Sequence, residues 1–111
     1  MSEPKKDITE FLKVLADQTR LEILDLLHHE KKTSSEIQSA LKKSQSTISQ
    51  HLKVLTTTNL IIFERINNIK HYKVKNLEIF KLLADVKSFV VGINKERLQS
   101  MSNEDVKDTL F

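Results

Sequence analysis

The residues best suited to chemistry lie between Ser44 and Leu55, in the run Ser-Gln-Ser-Thr-Ile-Ser-Gln-His-Leu-Lys-Val-Leu. Ser44 is a favoured helix N-cap, and Ile48, Leu52 and Leu55 follow at helical spacing, which predicts a helix over 45–58. At about 100° per residue, with Ile48 set to zero, Leu52 falls at about 40° and Leu55 at about −20°, so the three make one inward stripe. Ser46, Ser49, Gln50 and Lys53 fall at about 160°, 100°, 200° and 140°, on the opposite side. That outer face carries short hydroxyls, an amide and a cation, and no acid. A solvated helix face ordinarily mixes Glu with Lys. Gln can pair with adenine through two hydrogen bonds, Ser reaches a base edge or a phosphate, and Lys supplies charge to phosphate. The pattern suits close approach to DNA; a plain polar surface helix is the competing reading.

The surrounding charge is uneven. The chain has a formal net charge of +3, yet residues 42–75 hold seven Lys and Arg against a single acid, Glu64. Such a footprint gains from neutralising phosphates, although a solvated lysine-rich face has the same composition. Other chemistries find little material. There is no cysteine, which excludes disulfides, thiolate metal sites and cysteine nucleophiles and fits a reducing compartment. The single glycine, Gly92, cannot make a phosphate-cradling loop, and no Ser-His-Asp set has supporting spacing, so no enzyme is expected. His28, His29 and Glu30 are adjacent rather than four apart, which makes them a poor metal set and reads as a solvated helix end. His51, on the edge of the apolar stripe, reads as packed or phosphate-bonding, and His71 as structural or near phosphate. No metal or cofactor site is expected.

The elements that must position these residues follow from periodicity and caps. Asp7 with Glu10 reads as a capping box for a first helix over about 8–16, with Ile8, Phe11, Leu12 and Leu15 at helical spacing. Asp17 caps a second, with Leu21, Ile23, Leu24 and Leu27 as its apolar face, ending near His28–Glu30. Thr33-Ser34-Ser35-Glu36 is a capping box for a third, with Ile37, Ala40 and Leu41 inward. After the polar gap Lys42-Lys43 comes the Ser44 helix. Beyond Asn59 the period becomes alternating. Residues 61–66 and 69–74 flank Asn67-Asn68 and predict a hairpin whose core face is Ile61, Phe63, Tyr72 and Val74. Asn76 can cap a last helix reaching about Leu98, roughly 33 Å long. Its apolar residues, among them Phe80, Leu83, Val90 and Ile93, spread around much of its circumference, and a second subunit is the economical cover.

The expected fold is mostly α with a small β-hairpin. It has five main helices, the hairpin lying between the fourth and fifth. Two short helices joined by a tight turn and followed by a basic hairpin describe a winged helix-turn-helix whose second short helix is the reader. Arg65, Asn67, Asn68 and Lys70 at the hairpin tip would reach an adjacent groove or backbone, and such charges also block edge pairing. One domain is expected over 1–98, with a polar tail or short helix over 99–111. No apolar run approaches 18 residues and no secretory h-region opens the chain, so a cytoplasmic protein away from membranes is expected.

Two motifs carry a family resemblance. Leu15-Ala16-Asp17-Gln18-Thr19-Arg20-Leu21-Glu22-Ile23-Leu24 resembles the opening of the ArsR/SmtB repressors, and Ser44–Leu55 is similar to their recognition helix. With the hairpin, the resemblance covers about 11–75. It implies a homodimer binding operator DNA, with the first and last helices forming the dimer interface; Phe11, Leu12, Phe80, Leu83, Val90 and Ile93 are the expected contacts. Gln45, Ser46, Ser49 and Gln50 are expected at base edges. Ser44, Thr47, His51, Lys53, Arg65, Asn68 and Lys70 are expected at the backbone and in the wing. The family's metal sites do not carry over. The arsenic-type site needs cysteines where this chain has Lys32-Thr33-Ser34-Ser35-Glu36, and the zinc-type site needs histidines on a last helix that offers Asp85 and Glu96 but no His. The expected function is therefore a transcription regulator, a repressor on a pseudo-palindromic site, with double-stranded DNA and itself as partners and no effector named. A winged helix used for protein–protein contact and a non-specific architectural DNA-binding protein are the rivals; the Gln- and Ser-lined face favours sequence preference over the second.

Overall fold

The computed structural model describes residues 3–104, with side chains as far as Met101. The chain divides into two compact units, Met1–Leu77 and Glu78–Phe111.

In the first unit, α1 spans Pro4–Leu15. It starts earlier than expected because Pro4 stands in the first turn, where its fixed φ suits a helix and its missing N–H is not needed. Asp7 donates its backbone N–H to Glu3 O at 3.0 Å, so it lies inside the first turn and makes no capping box with Glu10. Val14 and Leu15 are buried, Phe11 is half-buried, and Ile8 and Leu12 are exposed. α2 spans Gln18–His29, capped as expected by Asp17, whose carboxylate accepts from Arg20 N at 3.1 Å. Ile23, Leu24 and Leu27 are buried, whereas Leu21 points outward at 39% exposure, so the apolar face is narrower than the sequence pattern.

A two-residue strand, β1 (Lys32–Thr33), follows and has no counterpart in the sequence expectation. So short a strand carries no period of its own, and its pairing partner defines it. α3 (Ser34–Leu41) opens on the expected capping box, with Glu36 N donating to Thr33 Oγ1 at 3.2 Å and Thr33 N to Glu36 Oε1 at 2.8 Å. Ile37 is fully buried, Leu41 half-buried, and Ala40 exposed rather than inward. The tight turn passes through Lys42 in the left-handed region, φ 55°, closed by Lys43 N donating to Gln38 O at 3.2 Å. α4 (Gln45–Thr57) buries Ile48, Leu52 and Leu55, the predicted stripe. Asn59, at φ 64°, ends it, and Leu60 N reaches back to Leu55 O at 3.0 Å.

β2 (Ile61–Ile66) and β3 (Ile69–Val74) form the hairpin, in register from Ile61↔Val74 to Ile66↔Ile69. Asn67 and Asn68 have φ of 50° and 66°, the positive values a two-residue type I′ turn requires. β1 pairs with the other edge of β3, giving a three-stranded antiparallel sheet in the order β1-β3-β2. Ile61 and Val74 are buried as expected, but Phe63 is 39% exposed and Tyr72 half-buried. Burial on this face therefore falls off from the Ile61–Val74 end toward the turn.

The second unit contains α5, Glu78–Glu104. It begins two residues beyond Asn76 and continues past Leu98, so 99–104 of the expected tail is helix; Val106, Leu110 and Phe111 lie outside the described residues. Ile79 is buried, Phe80 and Leu83 are half-buried, and Leu82, Val86, Phe89, Val90 and Ile93 are exposed along successive turns. No helix among the described residues is long and apolar enough to cross a membrane.

Candidate nucleic-acid interface

The buried stripe of α4 fixes which residues the helix shows to solvent. Gln45, Ser46, Ser49, Gln50 and Lys53 are all exposed. Among the described residues none of these side chains is spent on an internal hydrogen bond or ion pair. Ser44 and Thr47 close the start of the helix on each other. Ser44 Oγ accepts from Thr47 N at 3.2 Å and donates to Thr47 Oγ1 at 2.9 Å. The base-edge candidates are thus free, while two of the backbone candidates hold the N-terminus in shape.

On the hairpin, one face changes character along its length. The cross-strand pairs run Ile61 with Val74, Phe63 with Tyr72, and Arg65 with Lys70. The first pair is core. In the second, the rings lie 5.7 Å apart between centroids. The third places cations over the Phe63 ring, Lys70 Nζ at 4.6 Å and the Arg65 guanidinium at 5.9 Å from its centroid. Burial pushes the Tyr72 phenol above its ordinary value, so it stays a neutral hydroxyl at physiological pH. A groove of about 340 Å³ separates this face from α4, lined by Ser49, Leu52, Lys53, Thr56 and Thr57 on one side and Phe63, Lys70 and Tyr72 on the other. Ser49, Lys53 and Lys70 were expected at the site. Thr56, Thr57, Phe63 and Tyr72 were not, because alternation marks Phe63 and Tyr72 as core and says nothing of where the core ends.

A second recess, about 400 Å³, lies between the start of α3 and the hairpin tip, with Thr33, Ser34 and Ser35 opposite Arg65, Asn68, Ile69, Lys70 and Tyr72. Arg65 and Asn68 therefore belong with the α3 N-terminus and not with the α4 groove; Lys70 and Tyr72 border both. Glu64, the one acid of the basic segment, is paired with Lys31 Nζ at 2.8 Å. That hydrogen bond and the Lys31 charge hold its carboxyl below the usual carboxylate range, so its charge is balanced locally.

His51 is placed differently from the other site candidates. Its side chain is 16% exposed. Arg20 Nε donates to His51 Nδ1 at 3.1 Å, and His51 Nε2 lies 4.0 Å from Asp17 Oδ1. The same guanidinium donates through Nη1 to Val14 O at 3.1 Å and to Lys13 O at 3.5 Å. Arg20 thus ties the end of α1, the start of α2 and the middle of α4 together, and His51 serves as its acceptor instead of facing outward. The Asp17 carboxyl is held below the usual range, chiefly by the Arg20 backbone N–H and further by the nearby His51 and the Arg20 guanidinium, against an opposing effect of burial. The two sequence motifs that carry the resemblance are therefore in direct contact. A set of donors with metal-ligand spacing also occurs among the described residues, Asp25, His28 and His29 at the end of α2.

Comparison with known proteins gives this geometry a family. A sequence model of the arsR family of bacterial regulatory proteins matches residues 17–62, from the cap of α2 into β2. The arsenical resistance operon repressor of Bacillus subtilis is 35% identical over 74 residues, covering 66% of this chain and 70% of the repressor. The chain belongs to the ArsR family. The corresponding repressor of Staphylococcus aureus is 36% identical over 67 residues, 60% of this chain. The chain spans 64% of that repressor's length and 61% of that of a Synechocystis transcriptional repressor SmtB homolog, less than two thirds in both cases. Among solved structures, the Mycobacterium tuberculosis protein Rv0081 superposes with a TM-score of 0.78 at 29% identity, over 87% of this chain and 99% of that one. A homodimeric winged helix-turn-helix DNA-binding domain from Mycobacterium bovis, described as a possible ArsR-family regulator, gives 0.69 at 25% identity over 90% of this chain and 93% of its own. The fold is thus the winged helix-turn-helix of ArsR-family regulators, with β1 added to the expected hairpin.

Proposed function

We propose that this ArsR-family protein is a cytoplasmic transcriptional repressor that binds pseudo-palindromic double-stranded operator DNA as a homodimer. The observation that carries the reading is the exposed, acid-free face of α4, set across a groove from a cationic hairpin. An α-helix fits the major groove of B-DNA, and a duplex rewards short polar side chains close to the base edges. Gln45, Ser46, Ser49 and Gln50 take the base edges. Lys53, Lys70 and Arg65 take phosphates, with Ser44, Thr47 and Asn68 beside them, and Tyr72 adds a neutral donor in the groove. His51 is reassigned from phosphate contact to positioning α4. The curated relatives in Bacillus and Staphylococcus are operon repressors, which supports repression.

The second copy is argued from apolar surface. α5 leaves Leu82, Val86, Phe89, Val90 and Ile93 exposed, and α1 leaves Ile8 and Leu12 exposed. Apolar residues exposed in such number on each helix call for a partner, and the neighbouring M. bovis domain is homodimeric. Phe11, Phe80 and Leu83, half-buried in one chain, would complete burial in the dimer. Repression by an arsenic-type thiolate switch is not part of the proposal, since the chain has no cysteine.

The test is affinity for genomic fragments at about 50 and 200 mM salt, followed by two substitutions. Gln50→Ala should lower affinity for the preferred duplex by about 1–3 kcal/mol while sparing random DNA. Lys53→Ala should weaken both and reduce the salt slope by about one. Absence of salt-dependent binding would replace this reading with a protein–protein module, and equal affinity for every duplex with an architectural protein.

A further inference from the structure

The outward face of α2 near its C-terminus carries a constellation that the DNA-reading surface does not use. Asp25, His28 and His29 stand at positions i, i+3 and i+4, the spacing that brings side chains together on one helix face. One ligand atom from each lies within 4.8 Å of the other two, and all three residues are exposed. The two imidazoles are stacked, with centroids 5.2 Å apart and planes at 25°. Glu30, the acid adjacent in sequence, is occupied by Lys32 at 2.9 Å, whereas Asp25 is in none of the ion pairs among the described residues. The acid that sequence adjacency suggests is thus engaged, and one from the preceding turn takes its place.

The helix is well suited to hold these donors. Its opposite face buries Ile23, Leu24 and Leu27, which fixes the backbone. His28 and His29 lie in the last turn, where the helix dipole favours a cation. Donors bound to tetrahedral zinc at about 2.0–2.2 Å sit about 3.4 Å apart, so the set closes with side-chain movements of roughly 1 Å. Two imidazoles with one carboxylate suit zinc and its first-row neighbours, not the all-oxygen preference of magnesium and calcium.

We propose that Asp25, His28 and His29 form a binding site for a first-row divalent cation of the zinc class, with three protein donors from one helix and the remaining position held by water. The site is independent of DNA reading and of the cysteine and last-helix positions the family resemblance brings. It is tested by titrating Zn²⁺ alone, and Co²⁺ alone for its visible absorption, into the full chain free of any affinity tag. One equivalent should bind, with imidazole resonances of His28 and His29 shifting and those of His71 unmoved. Asp25→Asn, His28→Gln and His29→Gln should each weaken binding by roughly tenfold or more, since changing even an outer partner of a metal ligand has cost 10–100-fold elsewhere. All three residues are exposed, so circular dichroism should show the variants folded. Affinity should fall as the medium is acidified, because the imidazoles must be neutral to bind. Binding that survives all three substitutions, binding that requires two chains per ion, or no binding at all would overturn the proposal. None of these outcomes bears on operator affinity, so failure here is distinguishable from failure of the DNA-binding reading.

Discussion

Replacing Arg20 by Ala tests whether the contact between the two family motifs holds the reading helix in place. The guanidinium makes two part-buried hydrogen bonds of 3.1 Å, one to His51 Nδ1 on α4 and one to Val14 O at the end of α1, and a longer exposed one to Lys13 O. A hydrogen bond from a charged donor contributes about 1.5–3 kcal/mol, and partial solvent access places these two at the lower end. Removing both, with the acceptors left for water to reach, should therefore cost about 2–3 kcal/mol. Urea unfolding followed by circular dichroism measures it. Arg20→Lys should recover little, because a point ammonium cannot serve two acceptors in different directions as the planar fork does. A double-mutant cycle with His51→Ala should show coupling of about 1 kcal/mol. If Arg20 also positions α4, operator affinity should fall in Arg20→Ala with the salt slope unchanged, since no phosphate contact is lost. An unfolding change under about 0.5 kcal/mol, or a coupling near zero, would show that Arg20 is no brace, because water would then replace these bonds without loss.

Three further outcomes follow from the fold and its titrating groups. Ile61→Ala, at a position with no solvent exposure, should destabilise by about 3–4 kcal/mol, whereas Leu21→Ala, at 39% exposure, should cost less than about 1 kcal/mol; equal effects in chemical unfolding would contradict the outward position of Leu21 and the burial of Ile61. Lys42→Gly, at φ 55°, should be neutral or stabilising by up to about 1 kcal/mol, and Lys42→Val should cost about 1–2 kcal/mol, read from thermal unfolding. The Asp17 carboxyl is held below the usual carboxylate range when folded. Its stabilising contribution is therefore complete above that range and is lost as the pH falls through the folded value. Asp17→Asn, which keeps a capping oxygen, should flatten the decline of stability below about pH 4; an unchanged acid limb in urea midpoints across pH would rule that contribution out.

Much of this protein was written locally in its chain. Caps and periodicity depend on near neighbours, so the Thr33–Glu36 capping box, the Ile48–Leu52–Leu55 stripe and the Asn67-Asn68 turn could be read from the sequence, and with them the free face of α4. Where the local reading failed, a local rule had competition or a long-range fact decided. Asp7–Glu10 satisfies the capping pattern, but Pro4 starts the helix first. β1 exists because β3 lies beside it. Leu21 and Ala40 carry core residue types at core spacing, yet only the arrangement of helices settles which apolar residues have a neighbour. Phe63 and Tyr72 follow the alternation that predicts core, yet they line the groove facing α4. The tertiary structure alone brought Arg20 to His51, 31 residues apart, and so gave a histidine read as packed or phosphate-bonding a partner inside the protein. The residues suited to touch DNA were legible in the chain, since charge, size and helical angle are its own properties. Which of them are free to do so was decided by packing, because a side chain's partners come from segments that no local pattern encodes.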